Sequence, residues 1–168
     1  MNRTVVVAPG ASLNDMQLKA VLDARQSGRV RHVVAVNNVY QVAPWADFLV
    51  AVDREWWNAH PDALHFKGGR FAPKGIGGVI RHHDERMPVG CNSGLYGCFI
   101  AEEFGADEIV LVGFDMHGVH FHGHHSGGLK NPQPSDFDRF KRQFSEWNGC
   151  AILNATKGSR LTCFPAFD

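Results

Sequence analysis

Ten of the 168 residues are histidine, and five of them fall between His117 and His125, just after the tripeptide Gly113-Phe114-Asp115. Imidazole titrates near neutral pH, so one histidine of this loop can take a proton from a hydroxyl nucleophile. Two or three of them can instead join Asp115 around a divalent metal. His120, His122 and His124 alternate, which in extended chain places them on one face, whereas zinc sites usually draw ligands from more than one element. No metal ligand is therefore assigned, and a polar loop without chemistry is the third reading of the segment.

Other polar residues stand where apolar runs end. The run at residues 32–36 ends in Asn37-Asn38, the run at 48–52 in Asp53, and the run at 108–113 in Phe114-Asp115. If these runs are strands of an open parallel sheet, Asn37, Asp53 and Asp115 stand at carboxyl ends, where such sheets bind ligands. The run at residues 4–8 (TVVVA) delivers the chain into Pro9-Gly10-Ala11-Ser12-Leu13. A strand, a glycine turn and a helix in succession can present backbone N–H groups to a phosphate at Gly10 and Ser12. The turn has neither the GxGxxG nor the Walker pattern, so a plain β-to-α turn is the alternative. Asn92-Ser93-Gly94 opens a further helix, where Asn92 or Ser93 either caps the helix or holds a ligand oxygen.

The elements that position these groups alternate. Short β-branched runs nearly free of polar residues read as strands buried on both faces of a parallel sheet. Asn14-Asp15 caps a helix carrying Met16, Leu18, Val21 and Leu22 that ends near Ser27-Gly28, and a second helix runs from Asn92 to Gly105. Between residues 60 and 88, glycines interrupt short apolar pieces, which predicts short strands and a loop. The histidine loop runs from Met116 to about Pro134. A helix over 136–147 places Phe137, Phe140, Phe144 and Trp147 at spacings of three and four, a core stripe, and a last strand at 151–153 ends in Asn154. The prediction is one α/β domain spanning 1–168, a mostly parallel sheet with helices on both faces.

Composition narrows the function classes. With 44% hydrophobic residues in 168, the chain supports one core. Seventeen Lys+Arg balance 17 Asp+Glu, so no long-range field gathers nucleic acid or an anionic membrane. Lys130, Arg139, Lys141 and Arg142 read as a solvated helix face from which one cation can reach a phosphate. No apolar stretch approaches the roughly 20 residues of a membrane span, and the run before Pro9 is too short for a secretory signal, so a soluble cytoplasmic protein is expected. Cys91, Cys98, Cys150 and Cys163 form no CxxC pair and read as small buried thiols. Trp45, Trp56 and Trp57 read as packing residues. Phe164 and Phe167 can pack on the same chain or, in a homo-oligomer, on a neighbouring copy.

The segments VVVAPGASL, VVAVNNVY, DFLVAVD, NSGLYGCFIAEEFGADEIVLVGFDM and AILNAT, in that order, resemble a group of Rossmann-like proteins. The group includes bacterial sialyltransferases and archaeal-type 6-hydroxymethyl-dihydropterin pyrophosphokinases. The chain looks closest to short phage-encoded, glycosyltransferase-like members, whose place would be the host cytoplasm. The resemblance implies a transferase with a nucleotide-linked donor. In the family, a turn of the type G-x-G-P-S-L binds the phosphate region; Gly10 and Ser12 match it, with Ala8 in place of its first glycine. Asn37 matches an asparagine that contacts the nucleoside, Ser93-Gly94 a helix-opening serine-glycine pair, and Gly113-Phe114-Asp115 a G-[FI]-D motif. A Y-x-G-H histidine is the family's base, which Phe121-His122-Gly123-His124 matches at His124, with His122 and His125 as rivals. The pyrophosphokinase members imply instead a diphosphate transfer from ATP with Mg²⁺ held by Asp53 and Asp115. A non-catalytic nucleotide- or metal-binding protein on the same scaffold is the remaining alternative.

Overall fold

The computed structural model describes residues 1–125 and 128–167. Strands that are apolar on both faces need helices on each side, and the chain supplies them in alternation. The strands β1 (Arg3–Val7), β2 (His32–Val36), β3 (Phe48–Val50), β4 (Gly69–Ala72), β5 (Ile80–Arg81), β6 (Glu108–Val112) and β7 (Ala151–Asn154) form one sheet. Its order is β5-β4-β3-β2-β1-β6-β7, and every neighbouring pair is parallel. The chain steps outward from β1 to β5, then returns to place β6 on the other side of β1. The direction of winding thus reverses between β1 and β6, giving a Rossmann-like α/β domain.

The helices are α1 (Asp15–Gln26), α2 (Arg54–Ala59), α3 (Ser93–Glu103) and α4 (Pro134–Ser145). On one face of the sheet, Leu18 and Val21 of α1 and Trp56 and Trp57 of α2 pack on Val5, Val7, Val33 and Leu49. On the other, α3 and Phe144 of α4 pack on Val6, Val34, Ile109 and Leu111. Asn14 caps α1 in a reciprocal box with Gln17, and Asn92 caps α3 by accepting from the Leu95 N–H at 2.9 Å. α3 buries every residue from Ser93 to Ala101, because Gly97 has no side chain to hold it off Val6 and Val34. At about 1.5–3 kcal/mol per large apolar side chain, this helix is anchored strongly, and its N-terminus is fixed at the sheet's carboxyl rim.

Several expectations change. The sheet is wholly parallel, and the residues after Asp53 form α2, whose two tryptophans are buried as expected of packing residues. Phe137 and Phe140 are not core: both are half-buried and belong to neither hydrophobic cluster. Of the cysteines only Cys98 is fully buried; Cys91 and Cys150 are half-buried and Cys163 is exposed. No helix among the described residues is long and apolar enough to cross a membrane.

The tightest constraint lies where β1 and β6 end. Gly113 has φ of 76° and meets the Ala8 carbonyl so closely that a Cβ would collide with it. Gly113→Ala combines backbone strain with that collision and should lower unfolding free energy by more than about 2 kcal/mol, measured by chemical denaturation. A loss below the roughly 0.5 kcal/mol typical of neutral surface changes would contradict this packing.

Candidate functional site

Because winding reverses between β1 and β6, the loops that follow them diverge and leave a crevice at the carboxyl rim. The crevice is a cleft of about 400 Å³, within the roughly 300–1,000 Å³ range of small-molecule sites. Its lining includes Gly10 after β1, Asn37 after β2, Asp53 after β3, and Asn92, Ser93 and Gly94 at the start of α3. The histidine loop contributes His120 and His125, and the segment leading into and through α4 contributes Lys130, Asp136, Phe137, Arg139 and Phe140. Six of the seven residues read from the sequence as ligand-binding therefore share one cavity.

Ser12 is the exception, and Asp115 explains why. The buried Asp115 carboxylate accepts from the Ser12 hydroxyl at 3.0 Å and from its N–H at 3.3 Å. The Gly10 N–H donates to the Gly113 carbonyl at 2.9 Å, and the Leu13 N–H donates to the Gly10 carbonyl at 3.0 Å. An internal carboxylate thus occupies the turn where the sequence pattern suggested an external phosphate. A side chain at residue 10 would collide with Asp115 and with the Gly113 carbonyl, so this glycine is required by packing. Asp115 lines a smaller adjoining recess and does not share the cleft with Asp53.

The α3 end of the cleft differs. Its cap takes the Leu95 N–H, and the Tyr96 N–H bonds the Asn92 carbonyl at 3.0 Å, while Ser93 and Gly94 occupy the first turn beside the cavity. The Ser93 hydroxyl accepts from the Val52 N–H at 3.1 Å and so ties the end of β3 to α3. With the Asn92 Oδ1 engaged in capping, its Nδ2 is left buried without a hydrogen-bond partner. Asp53 makes no capping bond to α2; atoms around its carboxyl raise it above the usual carboxylate range, with Lys74 opposing and Glu55 adding to the shift.

Backbone strain gathers at the same rim. Among the described residues, Asn37 (φ 49°) and Met116 (φ 57°) are the non-glycine residues with positive φ, and both line the cleft. Asparagine tolerates this region better than most side chains. The sharp turn sends Asn37 into the cleft and its neighbour Asn38 inward. Asn38 accepts from the Trp56 indole at 3.0 Å, and its amide nitrogen lies 3.1 Å from His60 Nε2. His60 Nδ1, 2.8 Å from the Trp56 carbonyl, must then carry the ring proton.

The histidine loop folds onto the β1 turn through Phe121 N–H to the Pro9 carbonyl at 2.9 Å, and His125 N–H reaches Asn131 Oδ1 at 2.7 Å. The rings of His120, His122 and His125 cluster with centroids 4.6 to 5.2 Å apart. Nε2 of both His120 and His122 is buried without a partner. His124, by contrast, is exposed and lines only the adjoining recess. His120, not singled out as the base by motif matching, and His125, a rival there, are the imidazoles that reach the cleft. No signal in the sequence distinguished them, since all five loop histidines are equivalent in composition. Asp115 does not join them: its carboxylate is engaged by Ser12, and among the described residues no group of three or more His, Cys, Asp or Glu is arranged to hold a metal.

Comparison with protein-family models, curated proteins and solved structures finds no match for this chain.

Burial, followed by the nearby imidazoles, pushes His120 down to about 4, with the Pro9 carbonyl opposing. Burial also lowers His122 and His125, and His60 at the end of α2 lowers both further. These rings are neutral in the folded state, whereas in the unfolded chain they take protons near pH 6.5. Their depressed values contribute stability that is present above about pH 6.5 and drains as pH falls toward about 4. Denaturation profiles across this window should show that loss, and His120→Gln should flatten part of it. Histidine NMR titrations in which all three rings protonate near pH 6.5 would contradict the assignment.

Proposed function

We propose that the cleft binds a nucleotide-linked donor and that the protein is a transferase of the glycosyltransferase-like kind. The observation that carries this reading is a cleft at the switch point of a parallel sheet, lined by a buried amide donor with no partner, by a helix N-terminus and by imidazoles. Buried polar groups are normally hydrogen-bonded, so the orphan Nδ2 of the cleft residue Asn92 is a donor that a ligand acceptor would satisfy. The motif order that resembles sialyltransferases and dihydropterin pyrophosphokinases supports the same reading.

In this proposal the donor's phosphates lie at the start of α3, near Asn92, Ser93 and Gly94, where the helix dipole favours anions. Lys130 adds positive charge from the facing segment, as does Arg139, partly offset by its ion pair with Asp136. Asn37 and Asp53 hold the nucleoside. The Gly10–Ser12 turn takes no phosphate, because Gly113 and Asp115 already satisfy the Gly10 and Ser12 N–H groups and Asp115 places a negative charge there. Gly10 acts by letting that turn approach Asp115.

His125 is the proposed base. His120, at about 4, is too weak to match neutral pH, whereas His125 is less enclosed and its value less depressed. The acceptor hydroxyl gives its proton to the His125 imidazole as its oxygen bonds to the transferred group. The bond from that group to the donor phosphate breaks, and the phosphate oxygen keeps the electron pair. Positioning supplies most of the rate enhancement.

The Mg²⁺-dependent diphosphate transfer is less favoured, because Asp53 and Asp115 face separate cavities. A purely binding role makes the same ligand predictions without turnover.

Nucleotide binding by calorimetry and turnover by mass spectrometry test the proposal. Asn92→Ser, which keeps a capping oxygen for α3 and removes the amide donor, should weaken nucleotide binding by about tenfold, the loss of one hydrogen bond to a charged group. His125→Ala should cut turnover by about 10²–10⁴ with donor affinity unchanged, whereas His124→Ala should turn over normally. A wild-type protein that binds nucleotide without product, or the reverse ranking of the two histidines, would overturn the catalytic assignment.

A further inference from the structure

α4 carries Phe137, Phe140 and Phe144 at the spacing of a helix that buries one stripe. Only Phe144 behaves so: it is fully buried, edge-on to Phe114 at 5.8 Å. Phe137 and Phe140 touch each other edge-on at 6.4 Å and 90°, pack against neither hydrophobic cluster, and line the cleft. The Arg139 guanidinium lies 5.2 Å from the Phe140 ring centroid and 3.1 Å from an Asp136 oxygen. Lys130 lines the same cavity. Folding therefore places two aromatic rings at a cavity without using them to build the core.

We infer that Phe137 and Phe140 form an aromatic wall for a planar heterocycle carried by the cleft's phosphate-bearing ligand, one ring meeting it face-on and the other edge-on. The identity of the occupant follows from the rest of the lining. One aromatic face and one aromatic edge suit a flat ring, Asn37 and Asp53 suit its polar edge, and Asn92, Lys130 and Arg139 suit an attached phosphate. The volume of about 400 Å³ suits a nucleotide-sized molecule rather than a protein segment. The inference deepens the donor-site reading above and rests on it for the phosphate. Stacking on aromatic side chains tolerates any base, so this wall contributes affinity, while the polar residues select the ring. In the absence of core contacts, either ring can be removed without unfolding the domain.

The test is calorimetry on the full chain with nucleoside monophosphates, unphosphorylated nucleosides and inorganic pyrophosphate. Wild type is compared with Phe137→Ala, Phe140→Ala, the double variant and Phe140→Trp, each checked for unchanged thermal unfolding. The double variant should bind the preferred nucleoside monophosphate at least about tenfold more weakly, with pyrophosphate affinity held within about twofold, and Phe140→Trp should bind like wild type. Nucleotide binding unaffected by the variants, or an equal loss for pyrophosphate, overturns the wall and leaves the donor site standing. Phe-dependent binding of nucleosides without any affinity for pyrophosphate or phosphate groups upholds the wall and overturns the donor reading. A wild-type chain that binds none of the probes overturns both.

Discussion

Two backbone segments leaving adjacent parallel strands, Pro9-Gly10 after β1 and Gly113 to Asp115 after β6, must touch before the cleft can take shape. Parallel strands on either side of a winding reversal send their connections to opposite faces of the sheet, so beyond the Ala8 N–H bond to Val112 the ladder no longer holds the two exits together. Here glycine at both contact points allows backbone to meet backbone, and the Asp115 carboxylate closes the junction onto Ser12. Ser159 and Arg160 brace the far side by bonding the carbonyls of Phe114 and Asp115. The floor of the cleft is therefore a set of fixed dipoles held from both directions.

That junction redirects the chemistry available at the rim. A glycine turn after the first strand is the usual phosphate position in nucleotide-binding sheets, but its donors depend on being free. With a carboxylate already bound, an incoming anion would meet like charge there. The start of α3 has no acidic residue in its first turn and has two cations on the facing segment, Lys130 and an Arg139 that is paired with Asp136. It is rigid because the helix behind it is almost wholly buried. Preorganised donors on a rigid element lose little entropy on binding, which is what a site of this kind requires.

The histidine loop adds the opposite kind of environment. Clustered imidazoles desolvate one another, and a proton on any of them would face neighbouring rings without a carboxylate partner among the described residues. They consequently stay neutral, and His120 and His125 keep lone pairs available in a cleft whose other polar groups are hydrogen-bond donors and carboxylates. Phe121 secures the loop to the core between two of these rings, so the polar cluster and its hydrophobic anchor come from adjacent positions.

The sequence by itself determined the parallel α/β architecture, because β-branched runs such as residues 32–36 and 108–112 cannot stay exposed on either face. It also marked the helix starts at Asn14-Asp15 and Asn92-Ser93, leaving the capping residue of the second open, and the rim positions of Asn37 and Asp53, which follow from where apolar runs stop. Helical spacing named Phe137, Phe140 and Phe144 as one stripe, but periodicity reports a shared face and not what covers it, so the cleft aromatics looked like core. Likewise five histidines in nine residues announced a polar, titratable loop without saying which would turn inward. Only the tertiary structure decided that His120 and His125 reach the cleft, that His124 does not, and that Asp115 binds Ser12. Those outcomes depend on contacts across more than a hundred residues of chain, such as Ser12 to Asp115, and no local pattern encodes such distances.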